Sequence, residues 1–270
     1  MAALSHIVRT SHAGAAALAL AAAVLVAGPA SAQSMTVFGY DLNASLRARL
    51  GPSYDGSDDY TVGPAGGFSL SKPGSKTFVA PDDSAALALF GNETVSFGAS
   101  ARLRGGRKAK DDLIGMRKID WAVEAGLFGD LWPTDWLRLR AEARRGFNGH
   151  KGVLGDLSAD VVSQQGKWTL SAGPRYSYAD AKFTRTYFGV TPAEAVASPY
   201  IAAAYGPGAG PRYIGAVAAA DYAWRPRWRL TADAGYRKLL GDAADSPLVA
   251  GLGSDDQFNL SLGFRDAVGQ

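Results

Sequence analysis

The sequence contains no cysteine, which excludes disulfides, thiol nucleophiles and thiolate metal sites. Histidine is almost as scarce: His6 and His12 sit at the extreme N-terminus, and His150 alone lies in the body of the chain. No His/Cys set with metal-ligand spacing exists, and no phosphate-cradling glycine loop precedes a helix, so no metal or other cofactor is expected. After the first thirty residues no apolar run is long enough for a spanning helix, and 20% of the residues are charged, which excludes a helical membrane protein. A large excess of one charge is also missing. Lys+Arg number 28 and Asp+Glu 25, and Arg9 is the only one of these in residues 1–32, so the remainder carries 27 − 25 = +2. Binding to a phosphate backbone needs a basic stripe, so no nucleic-acid partner is expected.

What the chain does have is alternation. In Trp136–Phe147, Leu137, Leu139, Ala141 and Ala143 point to one face of a strand, and Arg138, Arg140, Glu142 and Arg144 to the other. Strands of about 9 to 11 residues recur, the length a tilted strand needs to cross a bilayer. The same pattern runs through Tyr40–Leu50, Thr94–Arg104, Ile119–Phe128, Leu157–Val161, Trp168–Tyr176, Tyr213–Trp224, Trp228–Arg237 and Gln257–Phe264. Tyr60–Leu70 and Ala85–Phe90 are weaker candidates, and Phe183–Val190 and Pro199–Tyr205 are further strand candidates. Pro174 points to a barrel rim or a distorted strand end, and Asp130–Asp135 reads as a turn.

These segments predict an all-β protein: a transmembrane antiparallel up-and-down barrel. Thirteen candidates conflict with the even count of bacterial barrels. Dropping or merging one of the two before Phe90 leaves about 12 strands. Residues 1–32 read as a secretory signal peptide, with Arg9, the apolar Ala13–Ala27 and an Ala30-Ser31-Ala32 cleavage site, leaving 33–270 as the barrel domain. An exported barrel of this kind belongs in the outer membrane, with lipid as its first partner.

Charge on a lipid face near the midplane costs about 2–4 kcal/mol. Arg47, Arg49, Arg102, Arg104, Arg138, Arg140, Glu142, Arg144, Arg175, Arg229 and Arg237 are therefore expected to face the lumen. They either line a small anion-favouring pore or pair with Glu124, Glu142, Asp156, Asp160 and Asp233 to fill a closed interior. No catalytic residues are assigned. A hydrolase would have to use His150 with Ser158 and Asp156 or Asp160, whereas a hydrogen-bonded histidine in a turn between Gly149 and Gly152 is the simpler reading. Asp55, Asp58 and Asp59 lack the remaining ligands of a calcium loop, and Asp242 and Asp245 read as loop carboxylates.

Five segments, in order, together resemble the MipA/OmpV family of MltA-interacting outer-membrane proteins. The first is Gly51-Pro52-Ser53-Tyr54-Asp55-Gly56-Ser57-Asp58-Asp59-Tyr60, with Pro64. The second runs from Gly106-Arg107 through Ile119-Asp120 to Glu124-Ala125-Gly126. The others are His150-Lys151-Gly152 with Asp156; Gly173-Pro174 with Tyr187-Phe188-Gly189-Val190-Thr191; and Leu239–Val249, which includes Asp242, Ser246 and Pro247. The chain departs from the family at its end, where six residues trail Phe264. The resemblance implies a non-enzymatic scaffold linking a murein hydrolase (a lytic transglycosylase) and a penicillin-binding protein to the outer membrane. The alternative from the residues themselves is the small or efflux-associated pore.

Overall fold

The computed structural model describes residues 36–37 and 39–267. The expected signal peptide lies outside the described residues. Eleven strands close into one barrel: β1 (Tyr40–Pro52), β2 (Tyr60–Ser71), β3 (Ala85–Gly91), β4 (Val95–Arg104), β5 (Ala122–Thr134), β6 (Leu137–Asn148), β7 (Val153–Gln165), β8 (Trp168–Ala179), β9 (Gly210–Ala223), β10 (Trp228–Leu239) and β11 (Asp256–Ala267). Thr36–Val37 adds a short antiparallel flap to the start of β1. Closure is antiparallel through β11 and β1, from Leu260↔Leu50 to Ala267↔Asn43. Among the described residues no helix is long and apolar enough to cross a membrane.

The burial pattern is inverted relative to a soluble protein. Along β6 the residues Arg138, Arg140, Glu142 and Arg144 are buried, while Leu139, Ala141 and Ala143 are exposed. Arg138 is 1% exposed and Leu103 72%. The outer surface is a belt of large apolar side chains, among them Leu127, Leu157, Phe258 and Leu262. Such a belt is stable only in contact with lipid, where strands closed into a barrel leave no free edge.

The strand count differs from an even number for a physical reason. Both weak candidates before Phe90 are true strands. Phe183–Val190 is not one, because the Asp180 side chain accepts from the Phe183 N–H at 2.9 Å and caps helix α1 (Ala181–Tyr187). Pro199–Tyr205 is irregular and holds one bridge, Val190↔Tyr205. β2 and β3 then run parallel, paired through Ser69↔Ala86 and Leu70↔Leu87. A parallel pair needs a connection that travels back along the strands, and here residues 72–84 make that return inside the barrel. Pro174 sits within β8, not at a rim; opposite it the ladder to β7 lapses between Ser158↔Arg175 and Val161↔Ala172. Asp130–Thr134 extends β5 through a bulge and is no turn. β11 also continues beyond Phe264 to Ala267.

The two ends of the barrel differ. At the end that holds Tyr40 and Ala267, adjacent strands join by short turns at 135–136, 166–167 and 224–227. The opposite end carries segments 53–59, 105–121, 149–152, 180–209 and 240–255. The last two contain α1, α2 (Pro192–Ala197), α3 (Gly241–Ala244) and α4 (Pro247–Ala250). These segments fold into a cap whose core joins Ile119, Phe183, Tyr187, Phe188, Ala243 and Val249 to strand residues Leu154, Tyr213 and Leu239.

Candidate functional site

The lumen holds a continuous ion-pair lattice, because every second strand residue points inward and many of these are charged. Near the cap, the Glu124 carboxylate accepts from Arg104 at 2.5 Å, from Arg144 at 3.0 Å and from His150 Nε2 at 3.1 Å. Arg144 also reaches Glu142 at 2.7 Å and Asp156 at 2.5 Å. At mid-depth Arg138 and Arg140 both contact Asp130, at 2.9 and 3.0 Å, and Arg175 meets Asp160 at 2.8 Å. Arg47 pairs with Asp233 at 2.7 Å.

The returning segment 72–84 completes this lattice as a plug. Asp82 receives a two-pronged contact from Arg175, at 2.9 and 3.0 Å. Asp83 lies 2.9 Å from Arg138 and 3.7 Å from Arg140. Three backbone carbonyls are held as well: Val79 by Arg265 at 2.9 Å, Pro81 by Arg47 at 2.6 Å and Asp82 by Arg102 at 2.5 Å. Charge-assisted bonds of this kind are the strong class, and buried they fix the segment's position.

The remaining arginines named from sequence are placed differently. Arg229 donates to Thr169 Oγ1 at 3.1 Å, Arg237 lies 5.2 Å from the centre of the Tyr213 ring, and Arg49 folds over Gly51, where a Cβ would stand 3.4 Å from its Nε. Sequence reasoning missed Arg212, Arg265, Asp130, Asp82 and Asp83. Arg212 shares Asp55 with Arg104, at 3.4 and 3.1 Å, and Arg265 pairs with Asp221 at 3.3 Å. The two plug aspartates sit after Pro81, in a stretch that reads as a turn between weak strands, so no alternation signal marks them.

His150 is buried at 2% exposure. Its Nδ1 accepts from the Gly152 N–H at 3.3 Å, so Nε2 carries the proton that Glu124 receives. Phe183 and Tyr187 close over the ring edge-on, at 5.1 and 5.6 Å. Gly146 makes room beneath it: a Cβ there would lie 2.1 Å from the ring. Among the described residues neither ring nitrogen meets a serine hydroxyl, and Asp156 and Asp160 are engaged by arginines.

The motif segments converge on the cap. Gly56 has φ +99°, and a Cβ there would meet Val249 at 2.4 Å, so only glycine fits. Its N–H donates to Gln257 Oε1 at 3.0 Å, and Gln257 Nε2 donates to the Ser57 carbonyl at 3.1 Å. Ser246 Oγ donates to the Phe188 carbonyl at 2.7 Å and accepts from the Leu248 N–H, with Pro247 opening α4. Arg107 donates to the Tyr187 carbonyl at 2.7 Å. A Cβ at Gly189 would strike the Arg185 carbonyl at 2.5 Å. Asp242 accepts from the Gly208 N–H at 2.5 Å and, through its carbonyl, from Tyr205 at 3.0 Å. Thr191 and Glu194 form a reciprocal capping box on α2.

Burial pushes the Tyr54 and Tyr187 phenols up to about 12. Against the cost of burial, the Arg104 and Arg212 guanidiniums hold Asp55 below the usual carboxylate range. Burial likewise opposes ionisation of Glu194, but bonds from the Arg117 and Thr191 N–H groups keep its carboxyl low. Among the described residues no cluster of three or more His, Cys, Asp and Glu could hold a metal ion.

A family model described as "MltA-interacting protein MipA" matches residues 44–265. No curated protein matches the chain. Among solved structures the chain is similar to the COG4313 outer membrane channel from Pseudomonas putida F1, at 11% identity and TM-score 0.47 over 89% of this chain and 99% of that one. It is also similar to the NanC porin, at 6% identity and TM-score 0.40 over 84% and 98% of the two chains. A third is OmpT, an outer membrane protein of Vibrio cholerae, at 11% identity and TM-score 0.34 over 87% and 99%.

Proposed function

Since this chain belongs to the family of MltA-interacting proteins, an outer-membrane barrel family, we propose that it works as a non-enzymatic scaffold. In this reading it anchors murein-remodelling enzymes, a murein hydrolase and a penicillin-binding protein, to the outer membrane. The observation that carries the proposal is the filled lumen. The plug and the Glu124, Asp130 and Asp160 ion pairs tie up charged groups that would otherwise line a channel, and His150 is committed to Glu124 and Gly152. With the described lumen charges and His150 engaged in this way, the barrel is read as acting through what it binds. By the usual rule the termini and short turns face the periplasm, so enzyme partners dock at the turn end and the cap faces outward.

Site-specific photo-crosslinkers test this. One set goes at the exposed turn residues Lys167 and Arg225, and one at Val196 on the cap, which is 89% exposed. The expected result is a murein enzyme captured from the turn positions and not from Val196. Capture from the cap alone, or from neither, overturns the proposal. The pore reading keeps one observation in its favour: the plug's anchoring contacts are polar, so its displacement would open the lumen.

A further inference from the structure

Arg144 and Arg145 follow one another on β6, so only one of them can face the lumen. Arg144 does, and Arg145 is exposed on the lipid side. Next to it, toward the turn end, the outer wall carries an apolar groove of about 420 Å³. We infer that groove and arginine form a binding site for a phosphorylated glycolipid of the outer leaflet, with one acyl chain in the groove and a phosphate on the guanidinium. The site takes its orientation from the cap facing outward, and it does not depend on enzyme docking at the turn end.

The groove exists because four neighbouring outward positions are small. Its floor is Gly129, Ala141, Ala143 and Gly155, joined in register as Gly129↔Ala141 and Ala143↔Gly155. An added Cβ at either glycine would meet nothing within 4 Å, so the space is open to lipid. Leu127 borders it on β5, and Leu157, Tyr176 and Tyr178 border it on β7 and β8; all four are exposed. The other lining residues, Phe128, Glu142 and Asp156, alternate with these and turn inward, where both acids pair with Arg144. A trough gives a flexible chain contacts on several sides where a flat wall gives one.

The charges identify what that chain is attached to. Arg145 stands eight positions along β6 from Leu137. At about 3.3 Å per residue and a tilt of about 40°, that is about 20 Å of barrel height, near the outer edge of an apolar band about 25 Å tall. Among the described residues no acid pairs with Arg145, which lies 6.0 Å from the centre of the Phe147 ring. Val153, its register partner, accepts from the Asp180 N–H at 2.9 Å. This brings exposed Lys182 of α1, and exposed Lys151 of the preceding turn, to the same rim. The acids at this rim are engaged: Asp120 pairs with Lys118 at 2.7 Å, and Asp180 caps α1. An arginine at a lipid surface with no protein counter-charge fits a phosphate, and the outer leaflet of a bacterial outer membrane carries phosphate on an acylated sugar. A second copy fits poorly. Two copies in one membrane share an orientation, so two-fold contact here would set Arg145 against its own counterpart.

The test is native mass spectrometry of the refolded full barrel, titrated with bisphosphorylated lipid A, phosphatidylglycerol and phosphatidylethanolamine. Lipid A should be retained saturably and in preference to both phospholipids. Arg145→Gln should weaken it by about tenfold or more, as expected for losing a charged hydrogen bond. Gly155→Leu, which fills the groove from an open position, should weaken it too while leaving every ion pair in place. Heat-modifiable migration verifies that each variant is folded. No saturable binding of lipid A to folded protein, binding unchanged in either variant, preference for a phospholipid, or a dimer that Gly155→Leu dissociates overturns the proposal.

Discussion

Replacing Asp82 and Asp83 together by asparagine should unlock the plug while leaving the barrel wall intact. Asp82 is the two-pronged partner of Arg175, and Asp83 faces Arg138 at 2.9 Å. Breaking a buried ion pair costs about 3–5 kcal/mol because an uncompensated charge is left behind. Here Arg175 keeps Asp160 at 2.8 Å and Arg138 keeps Asp130 at 2.9 Å, so the low end, about 3 kcal/mol for each site, applies. The two are sequence neighbours, so their sum of about 6 kcal/mol is an upper figure. It corresponds to a rise in the displaced population of up to about four orders of magnitude. The three carbonyl contacts from Arg47, Arg102 and Arg265 survive, so openings should be brief and not permanent. Planar-bilayer recording is the assay: the natural protein stays silent, and the double variant flickers. A folded double variant as silent as its parent would refute the assignment of plug docking to these carboxylates. Steady conductance by the natural protein would refute the closed lumen itself.

Other outcomes follow from single contacts. Glu124→Gln removes the carboxylate that Arg104 and Arg144 share, but Arg104 keeps Asp55 and Arg144 keeps Glu142 and Asp156, so the low end, about 3 kcal/mol, applies, read as a lower temperature for the heat-modifiable transition. Ser246→Ala leaves the Phe188 carbonyl buried without its donor, at about 1–3 kcal/mol; limited proteolysis should then cut within 180–209 or 240–255 while the strands stay protected. Glu194 has a folded pKa below its ordinary 4.5. Its contribution is therefore complete above that value and is lost as pH falls through the lowered one. Hydrogen exchange around α2 should accelerate in that acid window and be unaffected by raising pH above neutrality. Acceleration only at alkaline pH would contradict the assignment.

Sequence by itself determined the barrel fold and the alternation that gathers its arginines on one face of each strand. Both rest on local physics: side chains alternate with period two, and lipid rejects charge, so a strand such as β6 carries its orientation in its own twelve residues. Tertiary structure alone decided which acid meets which arginine, because the pairs are far apart in the chain: Arg47 meets Asp233 across 186 positions and Arg175 meets Asp82 across 93. Only closure of the barrel brings them together. It also decided that Phe183–Tyr187 belongs to a capped helix, since an aromatic run suits either a membrane strand or a cap core, and the Asp180 cap and the packing over His150 favour the helix. The plug was the least legible feature. Asp82 and Asp83 look like turn residues in sequence, and they acquire their role because a parallel β2–β3 pair forces the chain back through a lumen already lined with arginine.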